Sequence, residues 1–194
     1  MKKILTLTAA LLFTLLLTPE ASAAFDPQTD YMCIMVAAAA SGDYAAGRQA
    51  QQSRDEKIDA LSMNYPKINF DDMLLLARVM YSEAGSDWLS DEWKMAVGEV
   101  VLNRVASPEF PNSIYAVVAQ PRQYGNLAYS SMRPTARCAA LAVRLLEGER
   151  VLNEPSVVFQ ANFVQGSGVY RVFYDRLLGA TYMCYSSHRW LYEG

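Results

Sequence analysis

Residues 74–85 read LLLARVMYSEAG, an apolar helical run that ends in a carboxylate. At about 100° per residue, Met73, Leu76, Ala77, Met80 and Ala84 share one stripe, and Asp71, Arg78 and Ser82 share the opposite one. Glu83 falls beside Leu76, between it and Val79, on the apolar half. A charge in such a place is unfavourable unless it is paired or used. Burial disfavours the carboxylate, and the negative end of the helix dipole in the last turn pushes the same way. A partner such as Arg78, Arg104 or Arg122 would oppose both. If the first two effects win, Glu83 keeps its proton near neutral pH, the property a general acid for glycoside cleavage needs. The alternatives are a buried ion pair and a side chain that turns outward at a fraying helix end.

Glu99 is the candidate for a second carboxylate. It sits in MAVGEVVL, near Met95 and Leu102, and reads either as a helper that tunes Glu83 or positions water, or as half of an ion pair between helices. Asp87 and Asp91 read as helix caps. Gln123, Tyr124 and Tyr129 share a loop, and Gln160 and Asn162 alternate with apolar neighbours in FQANF. Rings suit the apolar faces of sugars, and amides suit their hydroxyl and N-acetyl groups. Tyr124 and Tyr129 read equally well as a cover over the core. Asn103 and Arg104 read as a brace for a site or as a structural corner, and Trp88 and Trp93 as packing.

Other chemistries are disfavoured. The chain has no CxxC, and its one histidine, His188, lies in the polar stretch SSHRWLYEG. A zinc site, a Ser-His-Asp triad and a Cys-His pair therefore lack their parts, and no metal or cofactor is expected. A net charge of −3 disfavours nucleic acid as a partner. Cys33, Cys138 and Cys184 allow one bridge and one free thiol, with Cys138–Cys184 as the pair to test, or three small buried thiols.

The elements that must position these residues follow from caps and breakers. MKK, the apolar run ILTLTAALLFTLLL and the small residues Ala21 and Ala23 predict a signal peptide over 1–23, an uncleaved anchor being the other reading. No later run is long enough to span a membrane, so the expectation is an exported protein, secreted or held in the cell envelope. Residues 24–65 read as a helical N-terminal extension, and 66–194 as the catalytic domain. In that domain one helix starts at Asn69 or Asp71 and stops at Gly85, a second runs from about Ser90 to Val105, and a third has Pro134 in its first turn and ends at Gly148. The second is apolar on almost every side, which predicts a buried central helix in which Gly98 admits a close neighbour. SIYAVVAQ is a short helix or strand. SVVFQANFV, VYRVFYD and TYMCYSS, separated by glycines, read as strands. The fold class is α+β, mainly α, with a small β region toward the C-terminus.

The blocks Ala77-Arg78…Tyr81-Ser82-Glu83-Ala84, Ala96-Val97…Val101-Leu102-Asn103-Arg104-Val105, Phe110-Pro111-Asn112-Ser113-Ile114 and Gln120-Pro121-Arg122-Gln123-Tyr124 resemble, in order and spacing, the SleB-type cell wall hydrolase family, which includes spore cortex-lytic enzymes. The resemblance covers 74–124 well and 134–186 more loosely. It implies a lysozyme-like catalytic domain that cleaves the glycan strand of peptidoglycan between MurNAc and GlcNAc. Glu83 would be the acid/base, and Tyr81, Gln123, Tyr124 and Gln160 would meet the glycan. Some members are lytic transglycosylases, which form a 1,6-anhydro ring with one carboxylate and no activated water. Two departures stand out: Gly85 replaces an arginine common in the family, and Gly179–Tyr185 lacks the histidine of the family's GxHxFY motif. A non-catalytic wall-binding protein on the same scaffold is the alternative.

Overall fold

The computed structural model describes residues 27–193; the expected signal peptide lies outside them. The described residues divide into two compact units that meet between Gln51 and Gln52. The first contains α1 (Pro27–Ser41) and the start of α2 (Tyr44–Asn64), where Asp43 Oδ1 accepts from the Ala46 N–H at 3.1 Å. The division falls inside α2, and Ile58, fully buried, joins the core of the second unit. The helical stretch expected over 24–65 is therefore shared between the two units.

In the second unit the helices begin where short polar side chains can accept from orphan N–H groups. Asn69 caps α3 (Phe70–Ala84), Ser90 caps α4 (Asp91–Ala106), Ser113 caps α5 (Ile114–Val118) and Thr135 caps α6 (Ala136–Leu146). The expected starts of α3 and α4 stand. Pro134 lies just before the cap of α6 rather than in its first turn, because Thr135 Oγ1 takes the Cys138 N–H at 3.1 Å. Asp91 opens α4 instead of capping it, and its carboxylate pairs with Arg137 at 2.7 Å.

Helices α3, α4 and α6 pack on one another. Every α4 residue from Trp93 to Val101 is buried. At Gly98 a Cβ would stand 2.5 Å from Leu145 Cδ1 and 2.9 Å from Met80 Sδ, so both neighbouring helices use the space that a missing side chain leaves. The C-terminal part is an antiparallel sheet of β1 (Val157–Ala161), β2 (Val169–Asp175) and β3 (Gly179–Tyr185) in the order β1-β3-β2. The fold is thus α+β, mainly α. β1 ends at Ala161, so Asn162 lies beyond it and does not share a strand face with Gln160.

Polar groups on α4 join sheet to helices. Toward its C-terminus Asn103 Nδ2 donates to the Glu154 and Val157 carbonyls at 3.0 and 2.9 Å, and Arg104 Nε to the Val158 carbonyl at 2.6 Å. At its N-terminus Trp93 stacks on Phe173 with centroids 5.4 Å apart, and Glu92 pairs with Arg171 at 2.7 Å. The disulfide considered for Cys138–Cys184 is absent: both are free, buried thiols. They serve different surroundings, Cys138 in α6 beside Lys94 and Cys184 in β3, where its sulfur accepts from the Gln165 N–H at 3.5 Å.

Candidate active site

Glu83 stands in the last turn of α3. It is exposed, not buried as the helical wheel predicts. The wheel assumes a continuing helix, whereas α3 stops one residue later at Ala84. The protein around the carboxyl still removes enough water to raise its pKa above the ordinary glutamate value. The two observations agree for an acid that is open on one side and walled on the others. Glu83 makes no hydrogen bond or ion pair with any described residue. Two of the three arginines that could have quenched it are engaged elsewhere: Arg78 donates to the Met132 and Leu127 carbonyls at 2.8 and 3.1 Å, and Arg104 to Val158 and Gln123.

Tyr124 lies within reach of the Glu83 charge. Burial raises the pKa of its hydroxyl, the Arg104 guanidinium opposes the rise, and the Glu83 charge adds to it. Tyr124 is 5% exposed, and its hydroxyl has no hydrogen-bond partner of good geometry, a costly state for a buried polar atom. Arg104 is the hub of this corner. Its guanidinium carbon is 5.1, 5.3 and 5.9 Å from the ring centres of Phe110, Tyr124 and Phe159, and its Nη1 donates to Gln123 Oε1 at 2.9 Å. Gln123 itself is exposed.

Of the residues expected to meet glycan, Gln123 and Tyr124 thus gather around Arg104, with Tyr124 within reach of the Glu83 charge. Tyr81 is half-buried and packs its ring over the turn after Glu83. Gln160 shares a sheet face with Met183 and Arg171, and its buried Oε1 is unpaired, as is that of Gln120. No hydrogen bond links Gln160 to Glu83, Gln123 or Tyr124. Tyr124 covers the core, but Tyr129 is 73% exposed, edge-on to Tyr115 with centroids 6.2 Å apart. Trp93 is packing, as expected; Trp88 is exposed.

Glu99 has a structural task. It is 1% exposed, with Oε2 accepting from the Val151 and Leu152 N–H groups at 2.6 and 2.9 Å and Oε1 from Asn153 at 2.9 Å. It is buried among backbone donors and is not part of an ion pair. His188 is 53% exposed, as its polar surroundings predict, but its Nδ1 lies 2.6 Å from Glu109 Oε1.

Sequence reasoning missed a buried cation at the turn that carries Glu83. Lys94 is 1% exposed inside a helix apolar on all sides. The argument that singled out Glu83, a charge on a greasy helix, would have found it. No group of metal-ligating side chains occurs among the described residues, and no helix there is long and apolar enough to cross a membrane.

Residues 90–172 match the Cell Wall Hydrolase family. The match begins seven positions after Glu83. The chain is also 35% identical over 94 residues to a spore cortex-lytic enzyme of Bacillus subtilis (strain 168), covering 46% of this chain and 30% of that enzyme. The chain thus spans under a third of the length of this curated relative. No solved structure matches the chain. Residues 90–172 are thus similar to a cell wall hydrolase domain, in keeping with the resemblance read from the sequence blocks.

Proposed function

We propose that the protein acts in the cell envelope on peptidoglycan, cutting the glycan strand between MurNAc and GlcNAc as a lytic transglycosylase with Glu83 as its one acid/base. The observation that carries this reading is the state of Glu83: solvent-reachable, free of hydrogen-bond and ion-pair partners, and raised in pKa by the surrounding protein. Such a group holds its proton where an ordinary glutamate has lost it, and can deliver it to a substrate oxygen. The committed state of Glu99 supports one carboxylate rather than two.

In this mechanism Glu83 protonates the glycosidic oxygen as the bond from MurNAc C1 breaks, and the GlcNAc end leaves with that proton. The Glu83 carboxylate then takes the proton of the C6 hydroxyl of the same MurNAc. O6 bonds to C1, the 1,6-anhydro ring closes, and Glu83 is protonated again. No water is consumed. The exposed Gln123 amide, held by Arg104 Nη1, supplies a polar contact, and the buried Tyr124 ring backs it against the same guanidinium.

Mass spectrometry of peptidoglycan digested with the protein tests this. Products about 18 Da lighter than hydrolytic ones, lost in Glu83→Gln, are expected. Full-weight reducing ends would mean hydrolysis. Full activity in Glu83→Gln would remove Glu83 from the mechanism. Wall binding without any soluble product would leave a binding protein.

A further inference from the structure

The turn that carries Glu83 is held from α4. Lys94 reaches back under α3, and its Nζ donates to the Ala84 carbonyl at 2.6 Å and to the Ser86 carbonyl at 2.7 Å. The last carbonyls of a helix have no partner within it, and a cation there also offsets the negative end of the dipole. These two carbonyls belong to the residue after Glu83 and the third one after it. On the other side of the turn, a Cβ at Gly85 would lie 2.1 Å from the Tyr81 carbonyl oxygen and 2.7 Å from the Tyr81 ring. The chain is pressed there against the turn before it, with room for glycine alone. The turn is thus pressed from one side by Tyr81 and braced from inside by Lys94.

Lys94 is an expensive choice for a merely structural contact. It is buried, and desolvation lowers its pKa. The charged and titratable groups about it are Cys138, Arg137, Asp87 and Asp91, of which Cys138 and the two aspartates favour its charge and Arg137 opposes it. We propose that Lys94 is a positioning residue for Glu83: by clamping the Ala84 and Ser86 carbonyls it holds the last turn of α3, and with it the Glu83 carboxyl, in line with the bond to be cut. The inference rests on the reading of Glu83 as the acid/base.

The test is steady-state kinetics on a soluble glycan-strand fragment, with rates normalised to the folded fraction from near-ultraviolet circular dichroism. Lys94→Gln, which loses the charge and one donor, should lower kcat by about 10- to 100-fold with KM within about twofold. Lys94→Arg, which keeps the charge and the donors in altered geometry, should recover part of that loss. A lowered melting temperature with wild-type kcat per folded molecule would make Lys94 an anchor of the fold only and overturn the proposal. If Lys94→Gln does not fold, Lys94→Arg decides alone: reduced kcat at unchanged KM supports positioning, and wild-type kcat overturns it. Glu83→Gln is run alongside. Activity retained in that variant sinks the acid/base reading itself, whereas an inactive Glu83→Gln beside a fully active Lys94 variant sinks only the clamp.

Discussion

Three glutamates of the second unit show what distinguishes Glu83. Glu99 accepts three backbone N–H groups, Glu109 binds two hydroxyls and an imidazole, and Glu154 accepts from the Ser156 N–H and hydroxyl. Each of these acids completes a turn or ties two segments. Glu83 ties nothing, and its proton is favoured by its surroundings. A raised folded-state pKa means that the native protein binds a proton more tightly than the unfolded chain. Stability from this group is full below the unfolded pKa and is lost as pH rises through the folded one. Glu83→Gln, which cannot ionise, should therefore be at least as stable as wild type at pH 7, with the difference vanishing below the ordinary carboxylate range. Melting temperatures at pH 3.5–7 check this, and a variant clearly less stable at pH 7 would assign Glu83 a structural partner. The combination expected, lost cleavage with kept or gained stability, is how an active-site acid differs from a fold anchor. Helical periodicity pointed to this residue because Leu76 and Val79 flank it. It could not choose between the buried and the outward-turned side chain, because a wheel does not register where the helix ends.

At the scale of elements, α4 was the most legible part of the chain, and its polar residues were the least. Its cap, its apolar centre and the close approach at Gly98 all follow from local sequence. The duty of Glu99 does not, because its partners are backbone groups 52 to 54 residues away in a loop with no pattern of its own. Glu99 and Asn103 lie four apart on one face and both bind the segment that enters β1, so α4 fastens helices to sheet through one polar stripe. Glu99→Gln puts an NH2 against N–H donors and leaves at least one unpaired. It should destabilise the protein by about 2–3 kcal/mol in urea unfolding while leaving kcat per folded molecule near wild type. Loss of cleavage at unchanged stability would instead return Glu99 to the chemistry as a second carboxylate. The strands were legible as elements because Val, Phe and Tyr cluster between glycines. Their ends were not, since β1 stops where pairing with β3 stops, and pairing is a tertiary fact.

Over the second unit as a whole, the C-terminal segment closes back on the loop after α4. Glu109 receives the Ser186 hydroxyl, the Tyr192 hydroxyl at 2.8 Å and His188 Nδ1 at 2.6 Å, while Ser107 Oγ lies 2.5 Å from the same Tyr192 hydroxyl. Burial alone would raise the Glu109 pKa, but the three hydrogen bonds and the nearby imidazole together bring it below the usual glutamate value. The sign is thus opposite to that of Glu83: stability from Glu109 is present above the unfolded pKa and is lost as pH falls through the lowered folded one. Sequence offered no hint of this, since a histidine in SSHRWLYEG reads as a solvated tail until Glu109, 79 residues earlier, is brought beside it. Glu109→Gln keeps the shape and removes the charge, so the segment should loosen at any pH. Amide exchange at pH 7 is then expected to quicken in 186–193 while α4 keeps its protection, and the variant should lose less stability than wild type on acidification. Unchanged exchange in 186–193 would mean that the Ser186 N–H bond to the Ser156 carbonyl at 2.7 Å and the packing of Arg189 on Tyr185 hold the segment without Glu109.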